Sequence, residues 1–474
     1  MKQYIDQGNL RGLITRIKPP WILAIKVAGG PRYRAIVEGV RVALKNGTLK
    51  PGDRLPPQRE LARMLELNLG TVTRAFDELR KSGLTRGEVG RGTYLAPSTT
   101  ADGPDTLWDR SQTPGFIDLS HNFPEGAPGL AKIEGELSRL LHQSNTERLL
   151  ATQVDTGHAE HRAAAARWIG QWGISVPPER VIITCGAQHG LLLALGALSR
   201  PGDMVLTEEL TFYGVKSAAA MFGRTLMGVR MDRDGLVPEA LDQACQRTSA
   251  KVLFCCPTLH NPTTATMSLE RRHAIIEVCR KHDLIVVEDD VYGLMLDEPL
   301  PPLAALAPER VVHITSLSKI AGPGLRIGFV AAPAEFTQPL GVALRATTLM
   351  ASPLNASAAQ SLIDSGVLWK MAANIRVEIR ARKEIVAQCL PAGVHVAQNG
   401  AFYFGLKVGN GLSGREFAHA AEQAGIGVTP YDVFEATPLA GGSMVRVCHS
   451  AAPDRESLRR ALGGLRELLE WRQR

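Results

Sequence analysis

No uninterrupted apolar stretch in these 474 residues approaches membrane-spanning length, so no transmembrane segment is expected. The first residues carry charges interspersed throughout, unlike the apolar core of a secretory signal. Cysteine is sparse: seven, an odd number, scattered at 185, 245, 255, 256, 279, 389 and 448. That distribution excludes a disulfide framework and suits reduced core residues of a cytoplasmic protein. Internal repeats and low-complexity tracts are missing. Gly322–Gly328 lacks the Gly-Lys-Ser/Thr ending of a P-loop. His158/His161 and Cys185/His189 have loose metal-like spacing but no second pair, and read as structural.

What is present exceeds one small core, and two or three domains are expected. Apolar content of 45% and charged content of 21% are ordinary for a globular protein. The net charge of +7 is unevenly spread. Residues 1–96 hold 18 Lys+Arg against 8 Asp+Glu, a net of +10; the remainder holds 36 against 39, a net of −3. The basic excess lies wholly in the N-terminal fifth and points there to nucleic acid.

Residues 1–31 form an N-terminal extension without a clear motif. From Arg32, Tyr33, Ile36, Val37, Val40 and Leu44 fall on one helical face that Gly47 stops. A turn at 51–57 leads to a second helix, Gln58–Leu65, with Leu61, Met64 and Leu65 inward. A third opens after Asn68, a plausible N-cap, with Val72, Ala75, Phe76 and Leu79 inward. Gly83 ends it. LTRGEVGRGTYL (84–95) then reads as a glycine-rich hairpin carrying Arg86 and Arg91. This is a winged helix-turn-helix order, whose last helix can enter the major groove while the wing meets phosphates or the minor groove.

Residues 97–115 are rich in Pro, Ser, Thr, Gly and Asp and read as a linker between a head at 32–96 and a body at 116–474. In the body, apolar strand-like runs alternate with amphipathic helical stretches, which predicts a mostly parallel α/β sheet. Lys251–Cys256, Leu284–Glu288 and Val311–Thr315 are expected strands, with a helix over 268–282 presenting Ala274, Ile275, Val278 and Cys279. Each of those strands delivers a polar group at its C-terminal end, where open α/β sheets build sites. Asn261, Asp289, Tyr292 and Lys319 are thereby brought within reach of one another.

Lys319 stands in SLSKIAGPGLRIGF (316–329), between two buried runs. Burial there would lower its pKa and make the amine a nucleophile towards an aldehyde. Ser316, Ser318 and Arg326 offer the short donors and forked cation that a phosphate ester needs. Pyridoxal 5'-phosphate carries both an aldehyde and a phosphate. A carboxylate such as Asp289 would keep its pyridine nitrogen protonated, and an amide and a phenol, Asn261 and Tyr292, would bond its 3-oxygen. The strand Val181–Thr184 runs through Cys185-Gly186-Ala187-Gln188 into a helix expected over 190–198, offering backbone N–H groups to phosphate. Phe212 or Tyr213 could stack on the ring, and Arg446 could pair with a substrate carboxylate. Singly, each has a plainer reading: Asp289 a cap, Asn261-Pro262 a turn, Arg446 a surface ion pair, Phe212 core. Their ordered coincidence favours a site.

GTLKPGDRLPPQRELARMLELNLGTVTRAFDELRKSGL with the wing GEVGRGTYL resembles the GntR family of bacterial regulators. The resemblance implies DNA contacts at Arg59, Thr71, Thr73 and Arg91. The chain departs from the family at Leu69 and Gly70, near the start of the recognition helix where arginine is usual, which opens that position to an apolar contact with a thymine methyl. ITCGAQHG, CPTLHNPT, VVEDDVYG, SLSKIAGPGLRIGFV and MVRV occur in the order of the fold-type I aminotransferases, over roughly residues 116–470. That likeness implies a Schiff base on Lys319, Asp289 at the pyridine nitrogen, and Asn261 and Tyr292 at the 3-oxygen. It implies phosphate held by Ser316, Ser318, Arg326 and the backbone at Ala187 and Gln188, and a carboxylate held by Arg446. Ala187 replaces a frequent serine or threonine, and a tyrosine usual near Thr152 is missing. Head and body together resemble the MocR family of transcriptional regulators. This implies a homodimer on a double-stranded DNA operator, with pyridoxal phosphate and an amino-acid or amine effector. The rival expectation is a working aminotransferase with an accessory DNA-binding head.

Overall fold

The computed structural model describes residues 32–45, 48–49, 53–81, 84–88, 92–95, 114–124, 130–142, 146–152, 156–396, 400–409, 411–437 and 442–470. The expected N-terminal extension, most of the expected linker and Arg91 lie outside the described residues. The chain divides into two compact units, Met1–Gly103 and Pro104–Arg474.

In the first unit, helices Arg32–Lys45, Gln58–Leu65 and Leu69–Lys81 precede an antiparallel pair, Thr85–Glu88 with Gly92–Leu95. Ile36, Val40, Leu61, Val72, Ala75, Leu79 and Leu95 are fully buried together, as the 3.6-residue spacing of the helical members requires. Met64 and Leu65, expected inward, are only half-buried, and Ala62 takes the interior place. Glu66 closes the second helix in the left-handed region at φ 55°, which turns the chain sharply. Asn68 Oδ1 then accepts from Gly70 N at 2.8 Å, the N-terminal capping bond of the third helix. Residues 53–55 join the hairpin's edge: Leu55 N donates to Thr93 O at 2.9 Å and Leu95 N to Asp53 O at 2.8 Å.

The second unit is built on a seven-stranded sheet. Its spatial order is Val181–Thr184, Gly328–Ala331, Val311–Ser316, Ile285–Asp289, Val252–Cys255, Met204–Glu208 and Thr225–Val229. Gly328–Ala331 runs antiparallel to both neighbours; the other pairings are parallel. The central strands are apolar on both faces because helices cover both. Val181 and Ile183 pack in one layer with Trp168, Ile169, Ile275 and Cys279. Ile182 packs in the opposite layer with Leu191, Leu195, Leu340 and Leu344.

Some boundaries differ from expectation. The helix after Gly186 begins at Ala187, not Gly190, because Gly186 (φ 85°) supplies the turn as N-cap. In the helix Leu269–His282, Ala274 and Val278 are half-buried while Ile276 and the guanidinium of Arg272 are interior. Arg272 satisfies itself on Met267 O (3.1 Å), Pro301 O (3.1 Å) and Thr258 Oγ1 (2.9 Å).

A smaller antiparallel sheet near the C-terminus runs in the order His395–Val396, Phe404–Lys407, Met444–Val447, Thr429–Pro430, over Phe417, Leu458 and Leu462. The body's first strand, Ile117–Asp118, pairs in parallel with Ile426–Gly427. That pairing draws residues 117–123 across the ends of the large sheet's strands. Among the described residues no helix is long and apolar enough to cross a membrane.

Candidate cofactor site and DNA-reading head

Lys319 follows the strand Val311–Ser316 by three residues and is 8% exposed. Its Nζ donates to the carbonyl of Asn122 and lies 4.3 Å from the centroid of Phe123 and 5.6 Å from that of Tyr292. Burial is the main reason its pKa falls to about 7. Asp289 ends the neighbouring strand. The residue keeps some surface, yet its Oδ1 is enclosed without a partner. Burial first, then the adjacent Asp290 carboxylate, pushes Asp289 up to about 7.

Tyr292 is buried, and its hydroxyl accepts from Asn122 Nδ2 at 2.5 Å. Burial raises its pKa well above the usual value, so it stays a phenol with a proton to donate. Arg446, 1% exposed, is no surface ion pair. It donates to Asn261 Oδ1 at 2.7 Å and to Ser120 O at 2.6 Å, and its guanidinium lies 4.8 Å from the Phe434 centroid. Phe212 and Tyr213 face each other at 4.7 Å, and Tyr213 leads on to Phe434 at 5.9 Å.

At the other end stands the helix Ala187–Leu198, whose first N–H groups have no intrahelical acceptor. Arg326 Nη2 bonds Cys185 O at 2.8 Å and lies directly over Gly186. A Cβ at Gly186 would stand 2.7 Å from that nitrogen, and one at Gly328 would stand 2.6 Å from the Gly186 carbonyl carbon. Two glycines therefore let a guanidinium and a helix N-terminus converge, with the buried Ser316 and Ser318 beside them. The Gln188 side chain is engaged in bracing, donating to Gly214 O at 3.2 Å.

The sequence reading missed Asn122, Ser120, Cys448 and Phe434. The one local signal was the turn-like SHNFPEG after a short apolar run. Among the described residues no group of three or more His, Cys, Asp or Glu is placed to hold a metal ion.

In the head, Arg59 and Arg74 are exposed, with Arg74 stacked over Tyr33 at 4.2 Å. Thr71 is half-exposed. Thr73, expected to face the groove, has its hydroxyl bonded to Gln58 Oε1 at 2.9 Å, so it braces the two helices of the motif. Leu69 at the start of the third helix is 41% exposed.

These two units are the parts of a DNA-binding regulator with an aminotransferase-type body. Residues 114–465 match the model for aminotransferase class I and II, and the chain belongs to that family. Residues 32–95 match the gntR family of bacterial regulatory proteins. Among its relatives, the HTH-type transcriptional regulator YdeF of Bacillus subtilis is 29% identical over 450 residues, covering 95% of this chain and 97% of YdeF. The HTH-type pyridoxine biosynthesis transcriptional regulator PdxR of Corynebacterium glutamicum is 27% identical over 365 residues, covering 75% and 78%. An archaeal alanine:glyoxylate aminotransferase shares the fold of the body, with a TM-score of 0.73 and 24% identity over 79% of this chain and 96% of its own. The cofactor of the body's family is pyridoxal 5'-phosphate, and the residues here suit it. The enclosed Asp289 Oδ1 has no hydrogen-bond partner, Lys319 is a desolvated amine with a lowered pKa, and the glycine-lined cradle under Arg326 is shaped for an anion.

Proposed function

We propose that the body senses pyridoxal phosphate together with an amino acid or amine, and that its occupancy biases operator binding by the head, in the manner of MocR-type regulators. The observation that carries this is the pairing of a buried, readily deprotonated Lys319 with an enclosed Asp289 in a chain that also has a GntR head. When bound, the cofactor supplies an aldehyde that condenses with primary amines and a ring that withdraws electrons.

Lys319 provides the attaching amine, and Asp289 holds the ring nitrogen's proton. Tyr292 donates to the 3-oxygen, helped by the Asn261 amide. Ser316, Ser318, Arg326 and the N–H groups of Ala187 and Gln188 hold phosphate, Phe212 covers the ring face, and Arg446 holds the ligand's carboxylate. In the head, Arg59, Thr71 and Arg91 meet the duplex, while Thr73 braces the two helices of the motif. A linker over 97–115, a homodimer and a cytoplasmic location complete the proposal.

An effector moves a two-state equilibrium only through its differential affinity for the states. A coupling of about 1–3 kcal/mol would change operator affinity roughly 5–150-fold. The test measures operator affinity and keto-acid formation on one preparation, while pyridoxal phosphate and amino acids are titrated. Operator affinity should respond, with turnover slow or absent. Rapid keto-acid formation with unresponsive operator affinity would replace this reading with that of an aminotransferase bearing an accessory head.

A further inference from the structure

The geometry points to Asn122 as the residue that receives the amino group of the body's amino-acid or amine ligand, an inference that rests on the sensing function proposed above. Asn122 is 7% exposed and presents three polar groups to the site. Its carbonyl accepts from Lys319 Nζ, its Nδ2 donates to the Tyr292 hydroxyl at 2.5 Å, and its Oδ1 is enclosed without a partner. A buried amide oxygen lacking a donor is costly, and native proteins rarely keep one without a use for it.

The chemistry selects the occupant. A carboxamide oxygen accepts only, so it repels carboxylate and phosphate oxygens and calls for an N–H donor. The Asn122 carbonyl already holds one amine, that of Lys319, and Oδ1 of the same residue offers a second acceptor beside it. Ser120, two residues earlier, holds Arg446 Nη2 through its carbonyl at 2.6 Å. One short segment thus fixes both the guanidinium suited to a carboxylate and the oxygen suited to an amine. An amino acid carries both groups.

The chain leading up to Asn122 is held by hydrogen bonds at residues 117–120. Ile117 N and Leu119 N donate to Gly425 O and Gly427 O, both at 2.8 Å, and Cys448 N donates to Leu119 O at 2.8 Å. Asp118 Oδ1 accepts from Ser120 N at 2.8 Å and from Ser120 Oγ at 2.6 Å, and Thr429 Oγ1 donates to Ser120 O at 3.2 Å. Such preorganisation spares the ligand the ordering of its own receptor. The Nδ2 bond has a second effect. It occupies a lone pair of the Tyr292 oxygen, which leaves the phenol proton free to point elsewhere.

The experiment uses the full chain loaded with pyridoxal phosphate and follows the cofactor's visible absorption during titration with a panel of amino acids and primary amines. Asn122→Ala keeps the backbone carbonyl and loses the side-chain acceptor; Asn122→Asp keeps an acceptor oxygen and loses the donor. Asn122→Ala should raise the half-saturating amino-acid concentration about tenfold or more, the loss of one buried hydrogen bond. Cofactor affinity and melting temperature report whether the site has merely collapsed, and Asn122→Asp should recover most of the amine response. Binding of a hydroxy acid of the same skeleton, which keeps the carboxylate and lacks the amine, should be equal in wild type and Asn122→Ala. Equal amino-acid titrations for wild type and Asn122→Ala would overturn the assignment while leaving the sensing function standing. So would equal losses of amino acid and hydroxy acid, or an Asn122→Asp protein as impaired as the alanine one. A wild-type spectrum that no amine perturbs would overturn the sensing function and this inference with it.

Discussion

Arg446 donates through Nη1 to Oδ1 of Asn261 at 2.7 Å, and both side chains are buried. Asn261 lies in the loop after the strand Val252–Cys255 and Arg446 within the strand Met444–Val447 of the smaller sheet, yet one hydrogen bond makes them a unit. A change at either end is therefore felt by the other.

Asn261→Ala leaves one nitrogen of a buried guanidinium without its acceptor, and should cost about 1–3 kcal/mol in urea unfolding. Arg446→Ala should then cost less in the Asn261→Ala background than alone, with a coupling of about 0.5–3 kcal/mol. Additive losses would show that the two act separately.

The pH dependence of the cofactor-free protein should carry the signatures of Asp289 and Lys319. Asp289, raised by burial from 3.8 to about 7, keeps a proton when folded that the unfolded chain has released. Its contribution to stability therefore falls as pH rises through that window, at up to about 1.4 kcal/mol per pH unit. Lys319, lowered by burial from 10.5 to about 7, has shed a proton that the unfolded chain retains, so its contribution rises with pH from about 7 towards 10.5. The pair places a minimum near neutrality. Asp289→Asn should remove the falling limb and Lys319→Met the rising one, as read from unfolding midpoints at several pH values. An unchanged profile in both variants would contradict the assignment.

The cradle under Arg326 makes a separable prediction. Gly186→Ala forces a left-handed residue to carry a Cβ 2.7 Å from Arg326 Nη2. That variant and Arg326→Ala should both weaken pyridoxal phosphate while leaving pyridoxal, which lacks the phosphate, nearly unaffected. Equal losses for the two compounds would place the phosphate elsewhere.

For the head, Arg59→Ala should weaken binding to any duplex and lower the slope of log K against log salt by about 0.9, one phosphate contact. Arg446→Ala should leave cofactor-free DNA binding intact. Leu69, an exposed apolar side chain at the start of the third helix, should read a thymine methyl. Sites enriched from random duplexes can be scanned by replacing each thymine with uracil. At one position the replacement should weaken wild type and not Leu69→Ala. If no uracil matters, Leu69 does not read a methyl.

Much of this protein was legible in its sequence because the signals are local. The head's helices show as 3.6-residue spacing, the sheet as short β-branched runs, and Lys319 and Asp289 as polar residues just where such runs stop. A strand buried on both faces has few other ways to be written. Tertiary structure decided which of those strand ends share hydrogen bonds. Asn122 meets Tyr292 across 170 residues and Lys319 across 197, and Arg446 meets Asn261 across 185. No periodicity spans such distances, so Asn122 looked like one residue of a turn. The interior place of Arg272 was hidden likewise, because a guanidinium enters a core only where several carbonyls converge on it, and its carbonyls come from two separate connections, 256–268 and the one holding Pro301. Sequence determined the elements and the chemistry at their ends; the fold alone determined the partners, since burial and hydrogen bonding depend on what long-range packing brings near.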